Sequence, residues 1–404
     1  MSDLSFSETI AVAPEAVYQA FTNEAAVTQW LCNTAHLNVR LGGAVYFCWN
    51  QPDYYAAGEF VELEPNERLA FTWRGRGEPA QTTVTVQLTP QNGHTEVSLT
   101  HGELGSEPEW HETRQQVSRG WEYSLTNLKQ VLEEGRDKRV YDLPFLGIFP
   151  GGVLSSEEAA ERGLPVEGGV HISGTVPETG AAEVGLREGD ILTRLGEIPV
   201  RDFSSLREAV LPHKAGAVVK IEYYRDGERQ TAEMTLSSRP VPDVPETPTA
   251  LAEALRQTYA QLDQELHEIV DGISEEVAAH RPYEDEWSAK EILAHVLTTE
   301  RTLQVFIANV VDGHTLRDWP NNPQPWISGV AEVHTLSELV TAIEQTEAET
   351  VHMVADLPPR IVERKASYFG IGTNVLQGFP GHTQSHYGAM QRIVTAAQEA
   401  VGTS

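Results

Sequence analysis

The chain has 404 residues, 40% hydrophobic and 22% charged, with a formal net charge of −30 and an isoelectric point near 4.8. This length exceeds one ordinary core and implies two to four domains. The acid excess repels phosphate backbones and anionic lipid, which argues against nucleic acid and membrane surfaces as partners, although scattered acid also serves solubility alone.

Cys32 and Cys48 are the two cysteines, with 15 residues between them. This spacing excludes a disulfide scaffold and a thiolate zinc finger and suits a reducing compartment. The opening MSDLSFSETIAV lacks a basic segment followed by an apolar run, and no stretch of about 18 apolar residues occurs, so the expected location is cytoplasmic. The charged, aperiodic segment Glu133–Asp142 and the proline-rich segment Ser237–Ala250 read as linkers. They give three modules, at residues 1–134, 142–240 and 247–402.

In the first module, Thr82–Leu88 and Thr95–His101 alternate apolar and polar residues as half-buried strands do, with a turn at Asn92-Gly93. Val117, Trp121, Leu125, Leu128 and Leu132 then mark one face of a helix of six to seven turns. SETIAVAPEAVYQAFTNEAAVTQWL, GEFVELEPNERLAFTW and WEYSLTNLKQVLE resemble the START-like α+β helix-grip fold of the family named for activators of the heat-shock-protein-ninety ATPase. The resemblance implies either a chaperone-related contact or a small hydrophobic ligand between sheet and helix. Trp30, Phe47, Trp49, Phe71, Trp73 and Trp121 would line that cavity, or would simply fill the core.

The second module carries VPETGAAEVGLREGDILTRLGEIPV, in which Gly180, Gly185 and Gly189 punctuate turns, Ala181 and Ala182 open a short helix and Asp190 leads into a strand. A hairpin follows at Asp226-Gly227. The pattern resembles a β-rich PDZ domain of the bacterial protease-associated kind. That family binds a protein's C-terminal peptide on a strand edge beside a carboxylate-accepting loop. The matching loop is Phe145-Leu146-Gly147-Ile148, and Leu206 and Val210 on a helix Ser204–Leu211 form the other wall. Pro150 removes one strand donor, and the insertion Ser155–Gly169 is placed to cover the groove.

The third module shows four amphipathic helices, two of them opened by capping boxes, Ser288 with Glu291 and Thr335 with Glu338, and Trp287 is set to staple onto Ile292. These make an all-α four-helix bundle, with the long stretch between the second and third helices lying across one end. Periodicity assigns Val375, Phe379, His382, His386, Met390 and Ile393 to one core stripe, and Ile292, His295, Thr299 and Phe306 to another. Three core-facing imidazoles would each need a partner, at about 1–3 kcal/mol per unpaired group. One divalent cation, Zn²⁺ or Ni²⁺, would satisfy all three and leave a coordination position open.

WSAKEILAHVLTTE with GHTQSHYGAMQ resembles the DinB family of metal-binding bundles, whose histidine triad falls here on His295, His382 and His386. The resemblance implies a metal-dependent transferase or hydrolase, in some members acting on a small-molecule thiol. It names no catalytic residue; Glu291 would serve either as a base or as a helix cap. Pro380 and Gly381 are expected to kink the last helix, while His267, His314, His334 and His352 read as surface or loop residues. The runner-up to an enzyme is an adaptor, with the PDZ groove and the START-like domain as binding modules.

Overall fold

The computed structural model describes residues 3–50, 53–314 and 323–402. In the N-terminal module, β1 (Leu4–Ile10) is followed by α1 (Pro14–Thr22) and α2 (Glu24–Thr28). Six further strands come next: β2 (Thr34–Leu37), β3 (Ala44–Trp49), β4 (Tyr54–Glu64), β5 (Arg68–Gly75), β6 (Thr82–Gln91) and β7 (His94–Gly102). They form one antiparallel sheet in the order β1-β7-β6-β5-β4-β3-β2. Asn92 and Gly93 take φ of 45° and 87°, the left-handed values a tight hairpin needs. Thr82, Val84, Val86 and Leu88 on β6, and Thr95, Val97, Leu99 and His101 on β7, alternate inward. The 24-residue α3 (His111–Glu134) buries Val117, Trp121, Leu125, Leu128 and Leu132 in the core that the sheet lines.

The segment Glu133–Asp142, expected to be aperiodic, instead holds a helical turn, α4 (Lys138–Tyr141), because the Asp137 side chain caps the Arg139 N–H. The middle module continues with β8 (Pro144–Phe145), β9 (Ile148–Leu154), α5 (Ser156–Glu161), β10 (Gly169–Thr175), α6 (Gly180–Glu183), β11 (Ile191–Leu195) and β12 (Ile198–Pro199). It closes with α7 (Phe203–Val210), β13 (Val218–Arg225), β14 (Glu228–Thr235) and β15 (Ser237–Ser238). The sheet runs β14-β13-β11-β10-β9, with β12 on β11 and β15 paired to β8, so β9 is an edge strand. Asp226 and Gly227 turn the β13–β14 hairpin at φ 53° and 81°. The insertion after β9 folds as α5 under a Ser155–Glu158 capping box. Its Ala159 and Leu164 bury against Ile191 and Tyr224 as a separate small cluster, apart from the residues assigned to the groove.

The C-terminal module comprises α8 (Pro248–Val270), α9 (Glu275–Ala279), α10 (Ala289–Asp312), α11 (Gln324–Val333), α12 (Leu336–Ala355), α13 (Pro359–Glu363), α14 (Lys365–Thr373) and α15 (Phe379–Gly402). The long helices α8 and α10 each pack on both α12 and α15, which makes a four-helix square. Both capping boxes form. Between the second and third long helices, α11 packs on α10, and residues 315–322 of that connection lie outside the described residues. The interruption expected at Pro380 and Gly381 is displaced upstream, to a π-helical turn at Asn374–Gly378. Pro380 cannot donate to residue 376 and its ring crowds that carbonyl, so the widened turn accommodates it and α15 continues unbroken.

Residues 1–135 and 242–404 form one compact unit, and 136–241 a second. The first and last modules, read from sequence as separate, are tied together. Gln29 Nε2 donates to Ser367 Oγ at 2.8 Å and the Ala25 N–H to the Gly313 carbonyl at 3.1 Å. No helix among the described residues is long and apolar enough to cross a membrane.

Candidate metal centre

His295 on α10 and His382 and His386 on α15 each offer a ring nitrogen, and these nitrogens all lie within 4.8 Å of one another. Nε2 of His295 and Nε2 of His382 are 3.0 Å apart, close to the edge of about 3.3 Å that a tetrahedron with metal–nitrogen bonds of 2.0–2.1 Å would have. The rings meet edge to face, with centroids 4.6 Å apart for His295–His386 and 4.5 Å for His382–His386. Among described residues this is the cluster of histidine, cysteine and carboxylate side chains that converges closely enough to hold an ion.

The triad does not face the core, which corrects the periodicity reading. His382 is exposed, while His295 and His386 are half-buried. The buried stripe of α15 runs through Phe379, Thr383, Tyr387, Met390 and Val394, one residue later than His382 and His386. Spacings 379/382/386/390 and 379/383/387/390 both satisfy a helical period, so sequence cannot choose between them. On α10 the core includes Ile292, Leu293, Val296, Leu297, Leu303 and Ile307, and His295 flanks it.

Burial pushes the His295 imidazole down to about 4, helped by the neighbouring His386 and His382. Partial desolvation by the surrounding side chains lowers His382 and His386 as well, although part of the His382 side chain remains exposed. All three rings are therefore neutral at neutral pH, with lone pairs available. Three neutral nitrogens with no thiolate fit a borderline divalent ion. Nδ1 of His295 is buried without a hydrogen-bond partner, so the outer support that usually orients such a ligand is lacking there. Trp287, read from sequence as a staple, packs on the apolar cluster that contains Ile292 and also lies over the triad. Its ring lies 5.0 Å from His295 and stacks on His386 at 6.0 Å, and its indole N–H donates to Gln324 Oε1 at 2.7 Å.

Glu291 is the helix cap and not a free base. Its Oε2 accepts from Arg281 Nε at 2.7 Å and from the Ser288 N–H at 3.0 Å. Burial alone would raise its pKa, but the Arg281 guanidinium and Ser288 outweigh that and hold it below the usual carboxylate range. His267 pairs with Glu344, and His314, His334 and His352 join no cluster with the triad.

In the N-terminal module, Trp49, Trp73 and Trp121 wall a cavity of about 340 Å³, whereas Trp30, Phe47 and Phe71 are 1–2% exposed and fill the core. The split follows from depth, since the latter three pack wholly among buried side chains. Tyr54 and Glu78, not singled out from sequence, share the wall. Trp121 Nε1 donates to His101 Nδ1 at 3.0 Å, and His101 Nε2 lies 2.7 Å from the Thr82 hydroxyl. An indole can only donate, so Nδ1 accepts and Nε2 carries the proton. Burial lowers His101 to about 4, which keeps this neutral form.

In the middle module, Leu146, Ile148, Leu206 and Val210 belong to one apolar cluster. Phe145 instead pairs with Ser237 and lies under the Arg239 guanidinium at 5.2 Å. Gly147 has φ of +79°, and a Cβ there would meet Thr179 Oγ1 at 2.2 Å. The pairing of β9 with β10 is irregular around Pro150, which sits opposite Ile172.

Three family models match, one for each module: Activator of Hsp90 ATPase homolog 1-like protein over residues 11–133, PDZ domain over 153–236 and DinB superfamily over 257–390. The chain is a three-module protein. It joins an α+β activator-like domain, a β-rich PDZ region and a helical DinB-like bundle. The PDZ region is 36% identical over 86 residues to "Serine protease Do-like HtrA" of Lactococcus lactis, covering 21% of each chain. The activator-like domain lies within a segment 30% identical over 135 residues to "Activator of 90 kDa heat shock protein ATPase homolog 1" of Mus musculus, covering 33% of this chain and 37% of that one. The chain thus spans roughly a fifth to two fifths of these relatives. Among solved structures, the Aha1 dimer from Colwellia psychrerythraea is 23% identical, covers 34% of this chain and 99% of its own, and has a TM-score of 0.31.

Proposed function

We propose that the DinB-like bundle binds one divalent ion, zinc or nickel, through His295, His382 and His386, and carries out metal-dependent thiol transfer or hydrolysis. The observation that carries this reading is the convergence of three neutral imidazole nitrogens within 4.8 Å. A bound ion would supply Lewis acidity that lowers the pKa of a thiol or water in an open position. The chain's own part is to hold the three rings unprotonated, to shield one side of them with Trp287 and to leave the side of the exposed His382 open to an incoming molecule. Turnover of a small thiol with an electrophile, or of a hydrolysable ester or amide, should be metal-dependent and fall at least about 100-fold in His382→Ala. Turnover that survives both chelation and this substitution would refute it.

A second reading, an adaptor role, is favoured by the exposed edge of β9, on which Phe149 and Val153 are 54% and 41% exposed. A C-terminal peptide would add to that edge with its carboxylate at the Gly147 loop, and the activator-like module would contribute a small hydrophobic ligand or a chaperone-related contact. Calorimetric titration with a C-terminal peptide library should give saturable binding that Gly147→Val weakens at least tenfold, because valine is strained at a positive φ. No saturation across the library would dismiss the groove. Cys32 and Cys48 form no disulfide, which supports a cytoplasmic location.

A further inference from the structure

The 340 Å³ cavity of the activator-like domain is not uniformly apolar. Trp49, Tyr54, Trp73 and Trp121 line it as a chain of rings, with centroids 5.4 Å apart for Trp49–Tyr54, 6.1 Å for Trp49–Trp73 and 5.8 Å for Trp73–Trp121. In the same wall stands Glu78, 8% exposed. Its Oε1 accepts from the Tyr54 hydroxyl at 2.6 Å and from Trp73 Nε1 at 3.1 Å, and its Oε2 accepts from the Gly75 N–H at 2.8 Å. No lysine or arginine pairs with it among the described residues. The surroundings are built for this carboxylate, since a Cβ on Gly75 would fall 2.0 Å from the Tyr54 hydroxyl and 2.3 Å from Glu78 Oε1. Three donors converge on the Glu78 carboxyl while no basic side chain among the described residues pairs with it, and four aromatic rings line the same space.

We infer that this cavity takes a small organic cation, a methylated ammonium group on a short apolar body. Aromatic faces attract cations, and the effect grows once both partners are desolvated. A carboxylate accepts about four hydrogen bonds, and three are already used. Glu78 therefore offers charge more than acceptors, which favours an ammonium with few N–H groups over a guanidinium. The inference rests on the reading that the cavity binds a small ligand and replaces a purely hydrophobic ligand with a cationic one.

The test is titration of the full chain, followed by tryptophan fluorescence, with choline and its neutral carbon isostere 3,3-dimethylbutan-1-ol. Choline should saturate the signal and bind at least tenfold more tightly than the isostere. Glu78→Gln should remove that preference; it changes a net charge of −30 by one unit, so a loss on this scale is local. Gly120→Leu provides a variant that does not depend on disturbing the carboxylate. Gly120 lines the cavity on α3, the place its Cβ would take is open, and leucine favours a helix more than glycine. It should block choline while leaving the fold as stable as before. Equal binding of the isostere would overturn the cationic assignment and leave the ligand cavity standing, whereas failure of both probes to bind would overturn both.

Discussion

Zinc supplied at one hundred times its dissociation constant should stabilise the wild-type chain against unfolding by about 2.7 kcal/mol, and His386→Ala should abolish that gain. Even groups that only orient a metal ligand change affinity about 10- to 100-fold when removed. Loss of one of three ligands should therefore weaken binding at least about 100-fold. The pH dependence has a defined sign. Burial lowers the triad's pKa values, and His295 falls to about 4. Protons then compete with the ion only at more acid pH than for ordinary imidazoles near 6.5. Metal-dependent stabilisation should persist at pH 6 and disappear on approach to pH 4. A zinc shift of the same size in His386→Ala, measured by thermal unfolding, would contradict the assigned ligands.

Glu347→Gln should make the protein more stable, by about 1–3 kcal/mol at pH 8. Glu347 is 4% exposed in the bundle, and among the described residues no N–H or hydroxyl donor faces its Oε2. Burial, followed by the adjacent Asp263 carboxylate, pushes its pKa up to about 10. Nearby Glu300, itself raised by burial, accepts from the hydroxyls of Tyr259 and Thr350 at 2.6 Å each. Between the ordinary carboxyl value and about 10, the folded chain holds a proton at Glu347 that the unfolded chain has released. Stability from this group is therefore present in acid and lost as pH rises through that window. Glutamine keeps the shape, carries no charge and can donate to Asp263. Thermal unfolding from pH 6 to 9 should show a raised midpoint and a shallower decline in the variant. A lower midpoint at pH 8, or an unchanged slope, would show that the buried carboxyl costs nothing.

What was legible in the sequence was what short-range chemistry fixes. Asn92-Gly93 and Asp226-Gly227 announce hairpins because few other pairs accept their φ values. Ser288 with Glu291 and Thr335 with Glu338 announce helix starts because each pair satisfies backbone donors three residues apart. The identities of His295, His382 and His386 were visible too, but not their orientation. Between Phe379 and Met390 the rows through 382/386 and 383/387 fit a helical period equally well, and burial falls on Thr383 and Tyr387.

The remaining features depend on distant partners. Glu78 looks like an ordinary surface acid in Gly-Glu-Pro until Tyr54, 24 residues earlier, donates to it. Glu347 belongs to a polar run of α12 and is buried only because α8 and α10 close over it. The contact between Gln29 and Ser367 spans 338 residues, so no linker composition could show that the outer modules associate.

The most direct test of the metal centre is elemental analysis of the chain purified without an affinity tag, beside His295→Ala and His386→Ala. The triad predicts about one zinc or nickel per wild-type chain, lost in both variants. A wild-type chain that takes up no ion after incubation with excess zinc and nickel would contradict it.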